Sequence, residues 1–174
     1  MNRRLALASP LAAALLTASC ASDARSQEAE EPVAQEPVAQ EPAVESPPII
    51  APQAVFETVS VYLEVARTDA ERAKGLGGHA PLGETDGMLF VFDRPAAYAF
   101  WMKGMLFPID LMWIENGQVV FVQANAPHPG PADTDQTLPI YAPSSPATYV
   151  LEVNAGFAAA YGIGTGTPVQ LLGV

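Results

Sequence analysis

Lys103 and Asp110 both lie within "YAFWMKGMLFPIDLMWI", Tyr98 to Ile114, one of the most apolar runs of the chain. A lone charge is costly to bury, so each needs a partner or a use. Three chemistries fit: a structural ion pair, a lysine that holds a ligand beside a stacking Trp101, or an acid–base pair with a pKa-shifted lysine. In a strand, Trp101 and Lys103 share one face while Phe100 and Met102 share the other. The ammonium then sits beside an indole, a common way to grip a carbohydrate or an anion. Gly104 and Pro108 favour a turn between the two charges. The expectation is that Lys103 and Asp110 face each other across adjacent antiparallel strands.

Asn154, after "LEV" and before Ala155-Gly156, stands where a strand should give way to a helix. It reads as an N-cap, or as part of an anion site at that helix terminus near Lys103. His79 is a further ligand candidate. His79, His128, Asp133 and Asp135 lack the spacing of a zinc or calcium site, so no metal is expected. No cofactor is expected either. No G-x-S-x-G occurs, and Ser144-Ser145 have no histidine nearby. A non-catalytic binding or accessory domain with a patch around Trp101, Lys103 and Asp110 is therefore favoured. The alternative is a hydrolase or lyase on an envelope substrate, with Lys103 and Asp110 as acid and base.

The elements that must position these residues read as short strands. "VSVYLEVA" alternates, with Val59, Val61, Leu63 and Val65 on one face. "TDAERAKGL" opens with a capping box, Thr68 to Glu71, and stops at Gly75. Strands follow at Gly87–Phe92, Ala97–Lys103, Ile109–Glu115 and Gln118–Ala124, the last two joined by Asn116-Gly117, a strong hairpin signal. After a long loop come strand "TYVLEV", a short helix from Asn154 to about Tyr161, and strand "TPVQLL". This pattern predicts a mainly β domain, an antiparallel sandwich or barrel with two short helices, over residues 55–174.

The 174-residue chain has a formal charge of −11. Residues 1–19 have the charged start and short apolar run of a secretory signal. "LTASC" resembles a lipobox, which makes Cys20 the expected lipidation site. Removing residues 1–19 deletes Arg3 and Arg4 and no acid, taking the charge from −11 to −13. Such a surface repels nucleic acid, so the expected membrane attachment is the acyl anchor. Residues 20–54, with "QEPVAQEPVAQEPAVE", read as an acidic proline-rich tether. The expected location is the cell envelope, facing the periplasm, and the expected partner a small molecule, a glycan or an envelope protein.

"GMLFVF" (Gly87 to Phe92), "FWMK" (Phe100 to Lys103), "PID" (Pro108 to Asp110) and "VLEVNAGFA" (Val150 to Ala158) resemble, in order and spacing, the bacterial and archaeal domain of unknown function 192. "VARTDAERAKGL" is similar to its opening, and the resemblance covers roughly Ser60 to Leu172. It implies a compact, mainly β, jelly-roll-like domain, often exported, with no established activity. Members commonly carry arginine where this chain has His79, and asparagine where it has Gly104. A neutral imidazole does not replace a bidentate guanidinium, so an anion-binding role does not pass to His79.

Overall fold

A computed structural model describes residues 50–174. The expected signal segment, Cys20 and most of the tether lie outside the described residues.

The domain is mainly β. It has strands β1 (Gln53–Val55), β2 (Ser60–Ala66), β3 (Asp86–Ala96), β4 (Phe100–Trp101), β5 (Ile109–Glu115), β6 (Gln118–Ala126), β7 (Ile140–Tyr141), β8 (Ala147–Asn154) and β9 (Gln170–Leu172), with helices α1 (Asp69–Lys74) and α2 (Phe157–Ala160). Seven strands form one sheet in the order β6-β5-β8-β3-β2-β1-β9, and β4 pairs with β7 outside it. The sheet curls into a half-barrel. Gln118 at the start of β6 bridges Pro168 just before β9, and the Val119 and Thr167 backbones bond across the same gap.

Most strand pairs are antiparallel, but β2 and β3 run parallel, with Leu63 opposite Gly87 and Val65 opposite Leu89. A parallel neighbour needs a crossover. Helix α1 supplies it, capped as the sequence predicts: Thr68 accepts from the Glu71 backbone N–H, and the Glu71 carboxylate accepts from the Thr68 N–H. The β5–β6 hairpin also follows the sequence, with Asn116 and Gly117 at φ of 52° and 73°.

Elsewhere the expectations shift. Strand β3 runs on to Ala96, while β4 shrinks to Phe100–Trp101 because that segment leaves the main sheet to pair with Ile140 and Tyr141. The expected tether ran through Ala54, yet Gln53 and Ala54 belong to β1, wedged between β2 and β9, with Ala54 fully buried. A strand of three residues with a single inward side chain is too short to show alternation in the sequence.

Two apolar layers lie on the two faces of the sheet. Leu89, Met112, Ile114, Leu151 and Val153 pack inside the curl with Phe157 and Ala158 of α2. Met88, Phe90, Leu111, Trp113 and Val150 pack on the outer face under Leu76, Met102, Met105 and Phe107. Gly87 lets the central strands close up: a Cβ there would meet the Glu152 carbonyl oxygen at 2.8 Å and Val61 at 2.9 Å.

Candidate functional site

Asp110 alternates with Ile109 and Leu111, which belong to the outer layer, so its side chain enters the inner one. It is fully buried. A bulge in β6 opposite Asp110 puts Asn125 at φ 51° and turns its N–H toward the carboxylate. Oδ1 accepts from the N–H of Asn125 at 2.8 Å and of Gly156 at 3.1 Å, and Oδ2 accepts from Ala158 at 2.9 Å. Three backbone donors satisfy the charge without a cation. The Asp110 carboxylate thereby ties α2 to the β5–β6 edge and serves as the helix cap from a distant strand.

This changes two expectations. Asn154 is not the cap: it ends β8, and its amide donates to the carbonyls of Leu82 and Gly83, both at 3.0 Å. The N-cap position is Gly156, which carries no side-chain acceptor. Nor do Lys103 and Asp110 pair. The Lys103 Nζ lies 2.6 Å from the Asp135 carboxylate, and both side chains are about half exposed. Asp135 comes from the loop before β7, and the β4–β7 pairing swings that loop over Lys103.

Lys103 and Trp101 do come together, with Nζ 5.2 Å from the indole centroid. Their setting is built by α1. After the helix, the Gly78 N–H donates to the Gly104 carbonyl at 2.9 Å, locking the glycine turn onto the turn that bears Lys103. Gly104 has φ 71°. Asparagine also tolerates that conformation, so glycine where the family commonly has asparagine preserves the turn. His79 belongs to the α1 turn through its N–H to the Leu76 carbonyl, but does not line the pocket formed there.

That pocket, about 50 Å3, is lined by Arg72, Lys74, Lys103, Trp101 and Phe100, with Glu152 at its buried end. Arg72 is held by Asp69 and by the carbonyls of Arg67 and Val91, and stacks 5.1 Å from the Phe92 centroid. A wider groove of about 250 Å3 continues past Arg72, Phe100 and Trp101 to Phe92 and Tyr98, whose rings stack.

Glu152 is the residue that sequence reasoning missed. It lies on β8, opposite Met88 and Leu111, on the outer face and 5 % exposed. No described residue bonds its Oε2. Burial pushes its carboxyl up to about 8, so it is mostly protonated at neutral pH. The signal was present in "TYVLEV": an acid inside a strand buried on both faces poses the same question as Lys103.

Among solved structures, the fold is similar to a candidate transcription regulator from Sinorhizobium meliloti 1021, at TM-score 0.61 and 25% identity, covering 71% of this chain and 93% of that one. It is also similar to a protein of unknown function from Novosphingobium aromaticivorans DSM 12444, at TM-score 0.60 and 34% identity, covering 68% and 83%. The curated proteins give no match. The profile of domain of unknown function 192, described as uncharacterized ACR, matches residues 53–171. The motifs, the half-barrel and this match agree, and the chain belongs to the DUF192 family.

Proposed function

We propose that this is an envelope-anchored, non-catalytic binding or accessory domain, exported by its N-terminal signal and held through Cys20, whose ligand lies in the groove beside Trp101 and Lys103. One observation carries the reading. Residues 50–174 contain five Lys and Arg against twelve Asp and Glu, yet Arg72, Lys74 and Lys103 line one pocket. Three of those five cations thus gather beside a half-exposed indole, two of them already paired, Arg72 with Asp69 and Lys103 with Asp135. Aromatic faces with a few convergent polar groups are how proteins hold small ligands and sugars.

The hydrolase alternative loses its pair, because Asp110 is on the other side of the sheet with its oxygens committed to backbone N–H groups. The acidic balance also disfavours nucleic-acid contact, so the regulator likeness is not carried over.

Tryptophan emission tests the binding reading. The chain has two tryptophans. Trp113 is fully buried, with its indole N–H on the Tyr98 carbonyl, so ligand-dependent change reports on Trp101. A panel of acidic and neutral oligosaccharides titrated into the full chain should include members that shift the emission. Trp101→Phe should abolish the shift. An emission indifferent to the whole panel would remove the proposal.

A further inference from the structure

Glu152 has no structural explanation. A leucine or methionine would fill its place among Met88, Leu111 and Phe90 without burying an acid, and the Glu152 Oε2 bonds no described residue. An unused polar atom at the buried end of a pocket calls for a partner from outside. The charged groups around it are Arg72 and Lys74 on α1, with Asp69 on Arg72 and Glu71 beside Lys74, Lys103 beyond β4 with Asp135 on it, and Glu64, exposed in the same row on β2 beyond Met88. The neighbours on β3 and β5, Met88 and Leu111, do not titrate.

We propose that this pocket binds a carboxylate, with the Glu152 O–H donating a hydrogen bond to a ligand oxygen while Arg72, Lys74 and Lys103 balance the ligand's charge. The ligand class is a carboxylate joined to a sugar ring, whose apolar C–H face can lie on an indole, as in an acidic saccharide. The inference rests on the binding reading above and names its chemistry. Size supports it: a cavity of about 50 Å3 accommodates about three to five water-sized groups at roughly 10–15 Å3 each, enough for a carboxylate and its carbon but not for a six-membered ring with its substituents. The ring has its own place in the adjoining groove of about 250 Å3, along Trp101, Phe92 and Tyr98. The rim already holds a carboxylate of the chain itself, that of Asp135 on Lys103.

A proton on Glu152 is required, so binding is linked to pH. Affinity should be level below the carboxyl's value of about 8 and fall about tenfold per pH unit above it, as the free protein loses the proton. The test titrates the full chain with digalacturonate and with its methyl ester, which differ in the carboxylates alone. The acid should bind at least about tenfold more tightly, a difference of about 1.4 kcal/mol. Glu152→Gln keeps a donor and should bind with no fall above pH 8, whereas Glu152→Met should bind the acid several-fold more weakly at neutral pH and likewise lose the pH dependence. Both variants remove a buried acid and should fold, which circular dichroism checks.

Equal binding of acid and ester overturns the inference and leaves the binding reading standing. So does tighter binding of inorganic phosphate than of digalacturonate, or a pH dependence that survives in Glu152→Gln. Absence of any Trp101 response to acid, ester or neutral disaccharide at about 10 mM, weaker than about −3 kcal/mol, overturns both.

Discussion

Asp110 and Lys103 lie on opposite sides of the central sheet. Asp110 holds the start of α2 and the β6 bulge from the inner face, and Lys103 meets Asp135 at the outer surface. Two charges in one apolar run thus serve separate parts of the fold, and their substitutions should separate cleanly. Asp110→Ala orphans three backbone donors at about 1 kcal/mol or more each, so urea denaturation should show a loss of about 3 kcal/mol or greater. Lys103→Met removes an exposed pair and should cost less than about 1 kcal/mol. A reversal of that order would return Lys103 to a structural role.

The N-terminal boundary is also testable. A chain starting at Val55 lacks Gln53 and Ala54, and with them most of the seam that carries β9. Its melting temperature should fall by about 5 °C or more relative to a chain starting at Ile50, roughly 1 kcal/mol for a domain of this size. Equal melting would make β1 dispensable.

Periodicity and turn chemistry made much of this fold legible. The α1 capping box and the Asn116-Gly117 hairpin are local devices whose signals lie within a few residues, and both appear where the sequence places them. Trp101 and Lys103 do meet, but not as alternate residues of one strand, because β4 ends at Trp101 and Lys103 lies in the turn after it. The partners of the charges were not legible. Asp135 reaches Lys103 through a long loop, and Asp110 reaches Gly156 and Ala158 from another strand. Such contacts depend on strand order, which alternation alone does not specify. Glu152 was legible as a buried acid, but its pocket needs α1, which exists as a cover because β2 and β3 are parallel.

Glu152 should leave a mark on stability. Its folded carboxyl is raised to about 8 from an ordinary 4.5, so the native state keeps a proton that the unfolded chain releases. The sign is that stability falls as pH rises from about 4.5 to about 8 and levels off above, at on the order of 1 kcal/mol per pH unit. Glu152→Leu should flatten this decline and be the more stable protein at pH 8. Denaturation profiles of the two that run parallel across that range would contradict the buried acid.

The proposed anchor is Cys20, outside the described residues. If residues 1–19 are removed as proposed, the charge goes from −11 to −13 with the loss of Arg3 and Arg4 and provides no second hold on an anionic membrane, so Cys20→Ala should move the protein from the membrane fraction to the soluble one. Retention on membranes after a salt wash would remove either the lipid anchor or its sufficiency.

Asp135 offers a final handle, because it already occupies Lys103 at 2.6 Å. Its loop runs into β7, whose Ile140 pairs with Trp101, so the carboxylate is delivered to the rim by the element that flanks the groove. An internal carboxylate at that position competes with any ligand carboxylate for the same ammonium. The pair is about half exposed, so its own contribution to stability is small, on the order of 1 kcal/mol or less. Asp135→Asn should therefore melt within a few degrees of the parent while binding an acidic ligand several-fold more tightly, the factor expected from freeing one exposed ion pair. The gain should shrink as salt rises toward about 1 M, where the screening length is near 3 Å. In a Lys103→Met background the same substitution should give no gain, since nothing is left to free. If Asp135→Asn instead weakens binding, Asp135 is holding Lys103 in place for the ligand rather than competing with it.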